Sequence, residues 1–354
     1  MSAVAPIAIV DDARFDAHED QSGTHPECPE RLSAARQGLY SRLTQEARLP
    51  VLAREATIAE LQWVHRPEYV SRLVTRLADG HGNLDADTYF SPGTREAAWL
   101  AAGGAIDFAT ALTSGAAQRG VALLRPPGHH AVPRSSMGFC LFNNVALAAR
   151  AALESGLQRV AIVDWDVHHG NGTQEIFYDD PRVLFISLHQ FPFYPGTGAP
   201  HEIGIGAGRG FTANLALPSG SGDEVYGAAF REVVLPLLGE FAPELVLVSA
   251  GFDAHARDPL ASMQLSTATY AGMASELQAS VDQLGHGRIG FMLEGGYDLQ
   301  ALEASVAQVA ASLLGTRGEL ASGKLRAMER AAIDATRRAL GQHWTSLAST
   351  PTRA

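Results

Sequence analysis

The sequence predicts an α/β fold: one domain built on an open, mostly parallel β-sheet with helices on both faces. Six short apolar runs rich in β-branched residues alternate with alanine-rich segments of helical length. Continuous apolar strands of that kind belong to sheets covered on both sides. No composition break, Pro/Ser-rich linker or solenoid repeat divides the chain. In such a sheet ligands sit beyond the carboxyl ends of the strands, so the polar residues there are the candidates for chemistry.

In chain order, strands are expected at Ile7–Val10, Val121–Leu124, Val160–Asp166, Val183–Leu188, Leu245–Ser249 and Ile289–Leu293. Helices are expected at Pro29–Leu43, Thr94–Ser114, Asn143–Ser155, Asp223–Phe241, Thr267–Leu284 and Leu299–Leu314. From Thr316 onward basic residues outnumber acidic ones, which marks a C-terminal extension: a surface helix over Leu325–Leu340 with a frayed end. The expected division is a main domain over 1–315 and a helical extension with a frayed tail over 316–354, packed on or beside it.

Of 354 residues 46% are hydrophobic and 18% charged, enough apolar material for a buried core. Acidic residues number 38 and basic ones 27, a net charge of −11. That balance argues against nucleic acid as a partner and suits cationic ones. Cys28 and Cys140 alone make neither a disulfide framework nor a structural zinc site. Met1–Val10 lacks a basic leader segment, and no apolar run approaches the roughly 20 residues of a membrane span. A cytoplasmic location with no membrane partner is the expectation.

The strongest chemical signal is Asp164-Trp-Asp166-Val-His168, which leaves an apolar strand. Period-two alternation sets Asp164, Asp166 and His168 on one face and Trp165 and Val167 on the other. Two carboxylates with an imidazole suit zinc or another first-row divalent ion. Asp253 follows the strand at Leu245–Ser249; alone it is an ordinary turn former, but with Asp166 and His168 it makes three ligands with a position left open. The strand at Val121–Leu124 leads into Arg125-Pro-Pro-Gly-His129-His130, a stiff loop presenting adjacent imidazoles, as acid–base catalysis requires. The strand at Ile289–Leu293 leads into Glu294-Gly295-Gly296-Tyr297, where a phenol beside a metal and a base could donate to an oxyanion. The glycine cluster Gly204–Gly210 reads as a loop, because it neither follows a strand nor opens a helix. The segment Asp11–Pro29 could line an entrance.

These motifs, with His25-Pro-Glu-Cys-Pro-Glu-Arg31 and Gly138-Phe-Cys-Leu-Phe-Asn-Asn144, resemble the zinc-dependent histone deacetylase superfamily of the arginase/deacetylase fold, in its class II and bacterial branch. The resemblance covers roughly residues 5 to 315 and implies one Zn²⁺ on Asp166, His168 and Asp253. It pairs His129 with Asp164, and His130 with Asn171, whose neutral amide leaves His130 less basic than a carboxylate would. It implies amide hydrolysis in which zinc and Tyr297 polarise the acyl carbonyl. His130 takes a proton from the attacking water, and a cationic His129 contributes its charge. Substrate contacts are implied at Phe139 and Tyr194 as aromatic walls, Asp87 at the rim, Leu260 and Gly295. Potassium is implied at an inner site (Asp164, Asp166, His168, Ser187, Leu188) and an outer one (Phe177, Asp180, Val183, Phe211). A homo-oligomer is compatible with all of this.

The implied substrate is an acylated lysine in a protein or peptide. An acetylpolyamine amidohydrolase is the nearest rival, but Leu260 stands where the polyamine-selective eukaryotic type has glutamate, and residues 65–94 look short for a dimerising insertion. A dinuclear arginase-type centre lacks its second acid at Asp253-Ala-His255. A silent binding module is disfavoured by retention of Tyr297, His130 and all three ligands.

Overall fold

A computed structural model describes residues 6–348. Its eight-stranded sheet has the order β2-β1-β5-β10-β9-β6-β7-β8, and every pairing is parallel. The strands are β1 (Ile7–Val10), β2 (Arg48–Pro50), β5 (Arg119–Ala122), β6 (Val160–Asp164), β7 (Val183–Gln190), β8 (Thr212–Leu217), β9 (Leu245–Ala250) and β10 (Ile289–Leu293). A separate two-residue ribbon pairs β3 (Gly82–Asn83) with β4 (Tyr89–Phe90). Strands β6 to β10 of the main sheet are buried along their whole length, the condition of a sheet covered on both faces.

The helices are α1 (Glu30–Tyr40), α2 (Ile58–Leu61), α3 (Pro67–Leu77), α4 (Thr94–Thr113), α5 (Asn144–Glu154), α6 (Asn171–Phe177), α7 (Asp223–Ala229), α8 (Leu235–Phe241), α9 (Thr267–Gln283), α10 (Leu299–Leu313) and α11 (Ala327–Leu340). α4 packs on α5, and α1, α10 and α9 pack in succession. Asn143 caps α5 by accepting from Ala146 N, and Asp298 caps α10 by accepting from Ala301 N.

Four expectations are corrected. The strand expected at Val121–Leu124 begins two residues earlier, with Arg119 reaching back to Asp282 at the sheet's opposite end. The strand expected to run to Asp166 stops at Asp164, so Asp166 and His168 sit on a bend rather than in an alternating ladder. The helix expected over Asp223–Phe241 contains a π-turn at Phe230–Val234, just before Pro236, whose missing N–H cannot serve an α-helical bond. The helix at the C-terminus is only half a surface helix: Ile333, Thr336 and Leu340 are buried on its inner side, where it packs on β8. Trp344 follows it inward, donating from Nε1 to Gly210 O at 2.7 Å and meeting the rings of Phe211 and Phe241. The expected frayed end beyond residue 348 lies outside the described residues.

Candidate active site

Four adjacent strands, β5, β10, β9 and β6, deliver the chemical residues at their carboxyl ends. β5 feeds the loop of His129 and His130, β6 feeds Asp164 to His168, β9 feeds Asp253 and β10 feeds Glu294 to Tyr297. The sheet order thus brings together residues up to 168 positions apart in sequence.

Asp166, His168 and Asp253 converge, with one ligand atom of each lying within 4.8 Å of the others. His168 Nδ1 is 3.2 Å from both Asp166 Oδ1 and Asp253 Oδ2. The remaining carboxylate oxygens are held by backbone, Asp166 Oδ2 accepting from Gly295 N and Asp253 Oδ1 from Val167 N. A Cβ on Gly295 would collide with both carboxylates, so only glycine leaves room there. Burial and the charge of Asp166 push the Asp253 carboxyl up to about 7. The Asp166 carboxyl is held the other way, well below its ordinary value, because His129 and His168 outweigh its burial. Two carboxylates buried side by side with an imidazole favour a cation between them, and the donor set matches a divalent metal site. Among the described residues it is the one such cluster of His, Cys, Asp and Glu. His255 stands apart, bonded to Thr267 Oγ1.

His129 Nδ1 lies 2.9 Å from Asp164 Oδ2, and His130 Nδ1 lies 2.8 Å from Asn171 Oδ1. Burial alone would depress His129, but Asp166 and Asp164 overcome it and hold the ring well above its ordinary value, as a cation. Burial depresses His130 well below its ordinary value, reinforced by His129 and His168, so this ring is neutral. The oxygen of Asn171 only accepts, so His130 Nδ1 carries the hydrogen and Nε2 keeps its lone pair. Burial raises the Tyr297 phenol well above its ordinary value against the opposing charge of Arg31, leaving it a neutral donor.

These groups open into a pocket of about 260 Å³ lined by Phe139, Phe193, Tyr194, Leu260, Asp87 and Gly295 among others. Phe139 sits at φ 68°, a left-handed conformation costly for an aromatic residue, with its ring 6.0 Å from that of Tyr297. Phe193 stacks on His168 at 5.3 Å, and Tyr194 meets His130 edge-on at 5.2 Å. His25 brings the Asp11–Pro29 segment to the rim, its ring against Phe139 and its Nε2 3.0 Å from Asp87 O. A larger open groove of about 570 Å³ along α3 contains none of these groups.

Of the residues expected at the potassium sites, Asp164 and Ser187 are paired neighbours on β6 and β7, with Leu188 next to them. Phe177, Asp180, Val183 and Phe211 surround the junction of α6 and β7. The carbonyls of Phe177, Asp180 and Phe211 accept from Asp180 N, Val183 N and Phe185 N, each with a lone pair to spare. The Arg150 guanidinium lies 3.7 Å from Asp180 Oδ2.

Sequence reasoning missed a buried layer behind the site. Glu27 accepts from Arg125 Nε at 2.6 Å and from Arg31 at 3.0 Å. Arg31 in turn donates to Gly296 O at 2.7 Å and to Glu294 O, and its guanidinium lies 4.9 Å from the Tyr297 ring centre. Glu294 accepts from Gly128 N, His129 N and Ser249 Oγ, which ties the histidine loop to β9 and β10. Phe193 was also missed; its place one residue before Tyr194 was the available signal.

An open parallel sheet that gathers acids, imidazoles and a phenol at four adjacent carboxyl ends has its ligand site there, furnished with the groups of a metal-assisted acid–base enzyme. The histone deacetylase domain matches residues 25–313. A probable deacetylase of Archaeoglobus fulgidus is 44% identical over 82% of this chain and 81% of its own length. Histone deacetylase 15 of Arabidopsis thaliana is 43% identical over 90% of this chain, and the polyamine deacetylase HDAC10 of Homo sapiens 42% identical over 93%. Those matches span 58% and 52% of the plant and human proteins. The crystal structure of an HDA15 HD domain superposes with a TM-score of 0.91 at 40% identity, covering 98% of this chain and 97% of that one. The chain belongs to the histone deacetylase family, a family of hydrolases.

Proposed function

We propose that the chain is a zinc-dependent deacylase that removes acetyl or another short acyl group from the ε-amino group of lysine in proteins or peptides. The observation that carries this reading is the convergence of Asp166, His168 and Asp253 beside a neutral His130 and a neutral Tyr297. Asp166, His168 and Asp253 would hold the ion, which supplies Lewis acidity toward the acyl carbonyl. Tyr297 donates its O–H to the oxygen on which charge develops. His130 Nε2 accepts the proton of the attacking water and returns it to the leaving amine. His129, cationic against Asp164, favours the negative charge that builds in the pocket. Phe139, Phe193 and Tyr194 grip an aliphatic stem between rings, with Leu260 and Gly295 completing the wall and Asp87 at the rim. We further propose potassium at the inner cluster of Asp164, Asp166, His168, Ser187 and Leu188 and at the carbonyl-rich outer cluster of Phe177, Asp180, Val183 and Phe211.

Leu260 favours lysine over polyamine, because an apolar side chain at that point of the wall gives a polyamine's second ammonium no partner there; the carboxylate in the lining is Asp87, at the rim. The test is turnover of an ε-acetyl-lysine peptide by the wild type before and after chelation, and after zinc is restored. Activity should vanish and return with the ion. Tyr297→Phe should keep metal and fold while losing about 100-fold in turnover, the scale of one oxyanion donor. Asp166→Ala should lose the metal as well. Full activity in Tyr297→Phe at unchanged metal content removes the phenol from the mechanism.

A further inference from the structure

The loop from Phe191 to Glu202 leaves β7, offers Phe193 and Tyr194 to the pocket and returns toward β8. Tyr194 is 38% exposed, so burial of that ring does little to hold the loop. Polar anchors hold it instead. The Glu202 carboxylate accepts from Gly198 N at 3.1 Å and Ala199 N at 3.0 Å, and takes Gln174 Nε2 from α6 at 2.6 Å. Gln174 Oε1 accepts from Asn214 Nδ2 at 2.8 Å and faces His169 Nε2 at 3.0 Å. That oxygen only accepts, so His169 carries its hydrogen on Nε2, and its Nδ1 accepts from Thr197 Oγ1 at 2.8 Å. His189 Nε2 donates to Gly198 O at 2.9 Å, and Gly198, at φ 89°, lies so close to His189 and His169 that a side chain would collide with them. Each donor atom named here meets an acceptor, while Asn214 Oδ1 is buried in the same set without a hydrogen-bond partner.

We propose that Glu202, with Gln174 as its partner, is the positioning residue that holds the Phe193–Tyr194 wall against the acyl-lysine stem. The kinetic part rests on the deacylase reading above; the anchoring part does not. Glu202→Gln sets an amide NH₂ against the NH₂ of Gln174 or against the N–H groups of Gly198 and Ala199, leaving a donor unmatched. Gln174→Glu alone sets two carboxylates face to face. The two substitutions together restore one donor to one acceptor across the pair, and Asn214 and His169 keep an acceptor.

The experiment measures kcat and KM on an ε-acetyl-lysine peptide, zinc content, and amide hydrogen exchange across residues 191–202, for the wild type, both single variants and the double variant. Glu202→Gln is expected to raise KM about tenfold, the scale of one hydrogen bond to a charged group. Its kcat and zinc content stay near the wild type, and exchange quickens at Gly198 and Ala199. The double variant is expected to recover both KM and exchange. A loss confined to kcat, an unchanged KM, or a double variant whose defects simply add overturns the proposal. If the wild type turns over no acyl-lysine peptide, the deacylase reading fails. Exchange then decides the anchor alone, and unchanged exchange in Glu202→Gln refutes it.

Discussion

Replacing Glu27 by glutamine removes the one carboxylate shared by two fully buried guanidiniums. Burial alone would raise the carboxyl of Glu27, but Arg125, His18 and Arg31 overcome it and bring it down from 4.5 to about 2. A shift of that size corresponds to about 3 kcal/mol of folding stability at neutral pH, with no solvent at the site to screen it. The same scale follows from leaving Arg125 and Arg31 buried without their counter-charge. Because the carboxyl is depressed in the folded state, its contribution is complete above the unfolded value of 4.5 and is lost as pH falls toward 2. Urea unfolding of wild type and Glu27→Gln should therefore show a gap of about 3 kcal/mol from pH 7 to 5 that narrows below pH 4.5. Turnover should fall too, since Arg31 beneath Tyr297 would keep its bonds to Gly296 O and Glu294 O but lose its counter-charge. A gap under about 0.5 kcal/mol, the range of an ordinary surface change, would refute the reasoning. A gap that did not narrow in acid would refute it equally.

Asn171→Asp places a carboxylate 2.8 Å from His130 in place of a neutral amide. It should raise the His130 pKa by about 1 to 3 units, so that the acidic limb of the kcat/KM profile moves to higher pH; an unmoved limb would take His130 out of the base role. We also propose that the segment from Thr316 folds as part of the same unit as the main domain, through α11 and Trp344. Trp344→Ala should then cost about 3 kcal/mol in a single urea transition, whereas a separate early transition would mark an independent extension.

The fold was legible where strands are continuous apolar runs: β10 falls where the sequence places it, and β6, β7 and β9 differ only at their ends. It was not legible at β2, three residues ending in Pro50 on the sheet edge, nor at β8, whose Thr-Ala-Asn-Leu-Ala-Leu lacks a branched apolar run and is covered by α11. The metal and histidine motifs were legible because each follows directly from a strand. The Glu27–Arg31–Arg125 layer was not, since Glu27 and Arg125 lie 98 residues apart and a charge in sequence reads as surface until its partner is placed. Glu294 stayed hidden for the same reason: two of its donors come from the loop after β5 and the third, Ser249 Oγ, from β9 itself. The loop anchors Glu202 and Gln174 carry no motif, being ordinary polar residues until β7, β8 and α6 bring them together.

The most direct test of the central claim is kcat/KM for an ε-acetyl-lysine peptide beside N-acetylputrescine and N-acetylspermidine, using zinc-loaded protein with Tyr297→Phe as the background. The account predicts the peptide to be the better substrate, with turnover of all three collapsing in Tyr297→Phe. Faster turnover of the acetylpolyamines would contradict the reading of Leu260 and make this chain a polyamine amidohydrolase.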